Sequence, residues 1–282
     1  VLRIGKQYLP DMQKLYDWIL RPVETDLAAS NAKTVVFVLD GTLRNLPMAA
    51  LHDGNQFLIE KYSVALTPGL QLLDPRPLQE RGLNVLTAAL SESRQGFSAL
   101  PNVVNEVKEI QTAVPAKVLL NEAFTEAGFK QAITERTSPI VHLATHGKFS
   151  SNKDETFVLT WNDRLNITTL NDLLQASELS QSGPIELLVL SACETATGDK
   201  QAALGMAGMA VRAGARSTVA SLWQINDEAT ALLMNRFYDE LAKGKITKAE
   251  ALRQSQLAIL ATPQFRQHPY FWAPYVLIGN WL

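Results

Sequence analysis

Ile140-Val-His-Leu-Ala-Thr-His146-Gly147 and Ile185-Glu-Leu-Leu-Val-Leu-Ser-Ala-Cys193-Glu194-Thr195 are two apolar runs that end in reactive side chains. A short continuous apolar run reads as a strand buried on both faces, the pattern of a parallel sheet covered by helices. In open α/β sheets the functional groups collect at the carboxyl ends of the strands. These two runs set His146 and Cys193 there, on strands that are candidate neighbours.

Outward from this pair, strands and helices alternate. Asn84–Leu90, Lys117–Leu120, Phe157–Trp161, Ser217–Leu222 and Tyr275–Ile278 read as strands. Pro101–Val114, Thr125–Glu135, Thr168–Gln175, Gly205–Ala213, Asp227–Ala242 and Thr247–Leu260 read as helices, with Thr125 as a cap. Upstream, Pro10–Ser30 reads as two short helices broken at Pro22. Thr34–Leu39 follows as a strand buried on both faces, and Phe57–Leu66 as another, reached through an Asp53-Gly54 turn. The polar stretch Ser150–Glu155 suits the turn of a side hairpin. This alternation predicts an α/β three-layer fold with a central, mostly parallel sheet of about six strands flanked by helices. We expect one domain over 1–282, with an N-terminal portion to residue 80, a core over 81–282 and a soft boundary near Pro75–Gly82.

Composition narrows the function. Hydrophobic residues make up 46% of the 282, enough for a large core, and charged residues 19%. A net charge of −2 gives no footprint for nucleic acid and no polybasic membrane patch. No run approaches the roughly 20 apolar residues that cross a bilayer. Val1–Tyr8 lacks a secretory signal, and the chain opens without Met, as part of a longer protein would. The single cysteine, Cys193, excludes an intrachain disulfide and suits a reducing cytosol, so a cytoplasmic location is expected.

A lone Cys with a His elsewhere is a candidate nucleophile, against the bland reading of an inert buried thiol. The spacing is 193 − 146 = 47 residues, near the separation of about 50 known for one class of cysteine peptidases. A thiol with a pKa of about 8.5 needs a base, and an imidazole beside it takes the proton during attack and returns it to the leaving amine. Gly147 has no side chain, so its N–H can approach a substrate carbonyl; with the N–H of Cys193 it forms a candidate oxyanion hole. No third member of a triad is evident. His142 reads as structural, since His-x-x-x-His on a strand is no zinc motif. The chemistry needs neither metal nor cofactor. No G-x-S-x-G and no P-loop occur, which argues against a serine hydrolase and against nucleotide binding.

Five segments in order resemble one family: Leu39-Asp-Gly-Thr-Leu-Arg-Asn-Leu-Pro-Met-Ala-Ala-Leu51, His142-Leu-Ala-Thr-His-Gly147, Leu190-Ser-Ala-Cys-Glu-Thr195, Ala220-Ser-Leu-Trp-Gln-Ile-Asn-Asp227 and His268-Pro-Tyr-Phe-Trp-Ala273. The chain is similar to CHAT domains, caspase-like modules usually found after tetratricopeptide repeats. The resemblance implies a caspase/separase-type fold, a Cys–His dyad of Cys193 and His146, and a protein substrate. It departs from caspases proper after the nucleophile, where Glu-Thr stands.

Lesser roles follow. Asp40, at the end of the first strand, is a candidate wall for the residue before the cut, where it would select Arg or Lys. Asp199 is the competing candidate, and a plain turn role for Asp40 stands beside both. Ser221-Leu222-Trp223 resembles an edge that pairs with an extended substrate, Trp223 giving an apolar wall. Only Thr195–Leu204 separates Cys193 from the next helix, too short for a cleavable linker, so control by a partner or attached repeat domain is expected. The rival readings are a non-catalytic interaction module that keeps the fold, and an acyltransferase on the same dyad.

Overall fold

The structure is a computed structural model. It describes residues 6–67, 69, 77–78, 82–135, 138–149, 156–178, 184–191, 194–195, 215–223, 225–265 and 268–282. The chain opens with α1 (Leu9–Ile19), a 3-10 turn at Arg21–Val23 that contains Pro22, and α2 (Glu24–Ala29). There follow β1 (Thr34–Phe37), α3 (Leu58–Lys61) and β2 (Ser63–Leu66), then β3 (Val85–Ala89), α4 (Asn102–Ala113), β4 (Ala116–Leu120) and α5 (Glu126–Glu135). The middle holds β5 (Ile140–Ala144), β6 (Gly147–Phe149), β7 (Phe157–Leu159), β8 (Arg164–Asn166), α6 (Ile167–Glu178), β9 (Leu187–Leu190) and β10 (Glu194–Thr195). The chain closes with β11 (Ser217–Ser221), α7 (Asp227–Ala242), α8 (Lys248–Ala261), α9 (Pro269–Trp272) and β12 (Tyr275–Gly279).

The main sheet has eight strands in the order β1-β2-β12-β11-β9-β5-β3-β4. Its pairs are parallel except β11 with β12. The expected α/β architecture stands, with eight strands in place of about six. The strands expected in the N-terminal portion join the same sheet, β1 and β2 extending it beyond β12. Alternation along the central strands sends side chains to opposite faces. Val141, Leu143, Leu188 and Leu190 pack into the layer that holds α1, α5 and α6. Ile140, Leu187 and Val189 pack into the layer of α7, α8 and α9. Among the described residues no helix is long and apolar enough to cross a membrane.

Three expectations change. Thr34–Leu39 is not doubly buried: β1 is an edge strand, and of its four residues only Phe37 is buried. Phe57–Leu66 is half helix. Glu60 reaches back to accept the Phe57 N–H at 2.7 Å, closing the turn of α3, and a short apolar run does not distinguish that turn from a strand. A second, four-stranded sheet β10-β6-β7-β8 stands at the carboxyl ends of the main strands. The expected turn Ser150–Glu155 and helix Gly205–Ala213 lie outside the described residues.

Candidate active site

Where β5 ends, at Ala144, the chain leaves the main sheet and enters β6. The step is pinned twice: the Thr145 hydroxyl donates to the Leu159 carbonyl at 2.8 Å, and the Leu159 N–H donates to the His146 carbonyl at 2.8 Å. The His146 ring is held by the segment after β3. Its Nε2 lies 2.8 Å from the Ser98 carbonyl oxygen. A carbonyl only accepts, so Nε2 carries the proton and Nδ1 keeps the lone pair of a base. The Phe97 ring packs on the imidazole with centroids 5.0 Å apart.

Ser98 and Phe97 belong to a small hairpin over residues 91–100. Arg94 and Phe97 exchange backbone hydrogen bonds of 3.2 and 2.8 Å. Between them Gln95 and Gly96 have φ of 48° and 86°, as a two-residue type I′ turn requires. The Leu100 N–H closes the base on the Ser91 carbonyl at 2.9 Å, and Asn121 Oδ1 accepts the Ser91 N–H at 2.9 Å. The Arg94 guanidinium lies over the Trp161 ring, 3.3 Å from its centroid. The sequence pointed to no third group beside His146 because the group is a backbone carbonyl. The one available signal was Gln95-Gly96 as a tight-turn pair.

Cys193 and Asp199 lie outside the described residues. The flanks of Cys193 do not. Leu190, near the end of β9, pairs with Leu143, and the next N–H, of Ser191, donates to the Leu143 carbonyl at 3.0 Å. On the other side, Glu194 pairs with Lys148 and Thr195 with Phe149 in parallel register. The chain segments on either side of Cys193 therefore run beside the segments on either side of His146. The Tyr275 hydroxyl donates to the Ser191 carbonyl and sits 3.3 Å from the Thr230 hydroxyl.

Ladder alternation orients two further groups. His146 and Leu159 form a hydrogen-bonded position of the β6–β7 pair, so the next position, Gly147 opposite Val158, is non-bonded. The Gly147 N–H is thereby turned away from β7, to the side of β10. At β11, the Leu222 N–H donates to the Pro274 carbonyl at 2.9 Å. The same alternation turns the backbone groups of Ser221 and Trp223 the other way, to the side of β9. The Ser221 side chain is buried, and the Trp223 indole N–H donates to the Tyr270 carbonyl at 3.2 Å.

Asp40 is not brought to this cluster. It caps a 3-10 turn, Oδ1 accepting the Gly41 N–H at 2.7 Å, with Arg44 3.4 Å away and its side chain 98% exposed. Its strand lies four strand spacings from β9, about 19 Å at ~4.8 Å each. His142 is fully buried between α4 and α7. Its Nδ1 is 3.0 Å from the Tyr238 hydroxyl, and its Nε2 is 2.9 Å from Glu106 Oε1, a close contact off the hydrogen-bond axis. Burial, and then the Glu106 carboxylate, push the Tyr238 phenol well above its ordinary range.

The sequence matches the CHAT domain family over residues 9–280. The chain belongs to the CHAT domain family. Tetratricopeptide repeat protein 28 of Homo sapiens is 22% identical over 330 aligned residues, which take in 96% of the CHAT chain and 13% of that protein. The chain thus spans about an eighth of the length of the curated relative it matches, a repeat protein by name. Among solved structures, the Arg-specific cysteine proteinase gingipain R is similar with a TM-score of 0.58 at 11% identity, over 98% of this chain and 75% of that one. The complex of the pro- and mature domains of the same Porphyromonas gingivalis proteinase gives 0.57 at 10% identity, over 98% and 77%. At such identity the likeness establishes the fold, and the fold of this CHAT domain is caspase-like.

Proposed function

We propose that this CHAT domain is a cysteine endopeptidase with Cys193 as nucleophile and His146 as base and acid. The observation that carries the reading is the double register: the segments flanking Cys193 pair with the segments flanking His146 on both sides of the two residues. His146 Nδ1, the unprotonated nitrogen, takes the thiol proton as sulfur bonds to the substrate carbonyl carbon. The oxyanion is received by the N–H groups of Gly147 and Cys193. The imidazolium then protonates the departing amine as the C–N bond breaks, and water, deprotonated by His146, hydrolyses the thioester. An extended substrate pairs along Ser221 and Trp223, whose backbone groups face the β9 side, past its last residue, Leu190.

Selection for Arg or Lys before the cut rests on Asp199, since Asp40 stands at the sheet edge with Arg44 beside it. The likeness to a repeat protein supports an attached repeat domain as the regulator. On this reading the substrate is another protein and the location cytoplasmic. The test is mass spectrometry of a peptide library incubated with the chain and with its Cys193→Ala variant. Cleaved amide bonds that vanish with the variant support the peptidase. Acyl transfer to added amines without hydrolysis would point to the transferase. Intact peptides, and a thiol no more reactive than a buried one, would leave the interaction module.

A further inference from the structure

α4 begins immediately after the hairpin that clamps His146, and it has no cap of its own: Pro101 precedes it, and no side chain of that segment accepts a first-turn N–H. The missing acceptor comes from α7. Asp227 Oδ2 accepts the Asn102 backbone N–H at 3.1 Å and the Asn102 Nδ2–H at 2.8 Å. Asp227 stands in the first turn of α7, so one carboxylate sits at the positive ends of two helices. It is placed between two parts of the candidate site. Four residues before it is Trp223, at the end of the proposed substrate edge. Four residues before its partner Asn102 is Ser98, whose carbonyl holds His146 Nε2. The contact crosses 125 residues of sequence.

We infer that the Asp227–Asn102 contact is a latch that fixes the orientation of His146 and couples it to occupancy of the Ser221–Trp223 edge. Asp227 and Asn102 are positioning residues: they act on the reaction through the 91–100 hairpin. The inference rests on the peptidase reading for its consequence, but its first step, the setting of the His146 ring, does not. A repeat domain or substrate that shifts the start of α7 would move the Ser98 carbonyl with it, and so turn the base on or off.

The test uses the whole chain and the variants Asn102→Ala, Asn102→Ser and Asp227→Asn, each checked by circular dichroism melting. Both variants at 102 keep the backbone N–H; Asn102→Ser also keeps a short side-chain donor for the Asp227 carboxylate, and serves where the alanine variant fails to fold. Two quantities are read: the imidazole ¹⁵N shifts of His146, which report which nitrogen holds the proton, and the iodoacetamide alkylation rate of Cys193 between pH 5 and 9. The latch predicts that His146 passes from the Nε2–H form to a mixture of tautomers in folded variants. It also predicts an alkylation rate at pH 7 that falls about tenfold in Asn102→Ala and less in Asn102→Ser. An unchanged Nε2–H signal with rates within about twofold of wild type overturns it. If wild-type Cys193 alkylates without regard to His146, the peptidase reading fails, and the ¹⁵N shifts alone decide the latch.

Discussion

The imidazole of His146 donates through Nε2 to the backbone carbonyl of Ser98, 2.8 Å away. Because the acceptor is backbone, the side chain at position 98 is immaterial to it. Ser98→Ala should leave Cys193 alkylation within about twofold of wild type. Gly96→Val should lower it: φ at Gly96 is 86°, where a β-branched residue is strained by about 1–2 kcal/mol, so the turn that presents the carbonyl shifts. Equal rates in both variants would argue that the hairpin does not set the base.

The two histidines of the second strand motif should separate cleanly. His142→Leu strips a fully buried group from between Glu106 and Tyr238, taking the hydrogen-bond partner at 3.0 Å from the Tyr238 hydroxyl and the polar neighbour at 2.9 Å from Glu106 Oε1. It should cost about 2–3 kcal/mol of stability by urea unfolding, while the folded fraction keeps the wild-type pH profile of Cys193. His146→Ala, at a half-exposed site, should cost under about 1 kcal/mol and displace that profile. The reverse assignment would place the base at His142.

Much of this site was legible in the sequence. Two apolar runs ending in His-Gly and Ala-Cys put both residues at carboxyl ends of strands, and β5 and β9 are indeed neighbours. What was not legible is what backbone atoms do. The Ser98 carbonyl and the cap that Asp227 supplies to α4 depend on partners far along the chain, and no local pattern announces them. Of the second sheet only the side hairpin was expected, and it stands as the β6–β7 pair; its β8 and β10 were missed because strands of two or three residues carry no periodicity. β1 was misjudged for a related reason: β-branched residues suit an edge strand as well as a central one, and only the sheet order tells them apart.

Lys248 is fully buried, and among the described residues its Nζ has no hydrogen-bond partner. Burial pulls its pKa from 10.5 down to about 8, with Glu186 opposing and Arg216 adding to the shift. Below about pH 8 both the folded and unfolded chains hold the proton, and the cost of burying the charge is present in full. Between about pH 8 and 10 the unfolded chain binds more protons than the folded one, so stability from this group rises with pH. Lys248→Met should therefore be more stable than wild type at pH 7, by at most about 3 kcal/mol, and the gap should narrow toward pH 10. Urea midpoints across that range check it; a gap that stays constant would show that folding leaves the amine's pKa where it is in the unfolded chain.

Two glycines with positive φ should respond differently to alanine. At Gly279, φ is 97° and a Cβ would lie 2.4 Å from the Arg216 carbonyl oxygen, on the backbone of β11's approach. Gly279→Ala should cost about 3 kcal/mol or more, since neither backbone can yield without breaking the β11–β12 pairing. At Gly54, φ is 111° and the space is open, so Gly54→Ala should show only the conformational cost of about 1–2 kcal/mol. Thermal unfolding of the two variants side by side reads the difference.

The central claim is that His146 activates Cys193, and covalent labelling tests it most directly. Peptide acyloxymethyl ketones with Arg, Lys or Asp next to the reactive group would be applied to the wild type and to His146→Ala, with the modified residue located by mass spectrometry. The account predicts that Cys193 is labelled in the wild type, that labelling is lost with His146→Ala, and that a basic probe is preferred. Labelling of Cys193 to the same extent with and without His146 would contradict it.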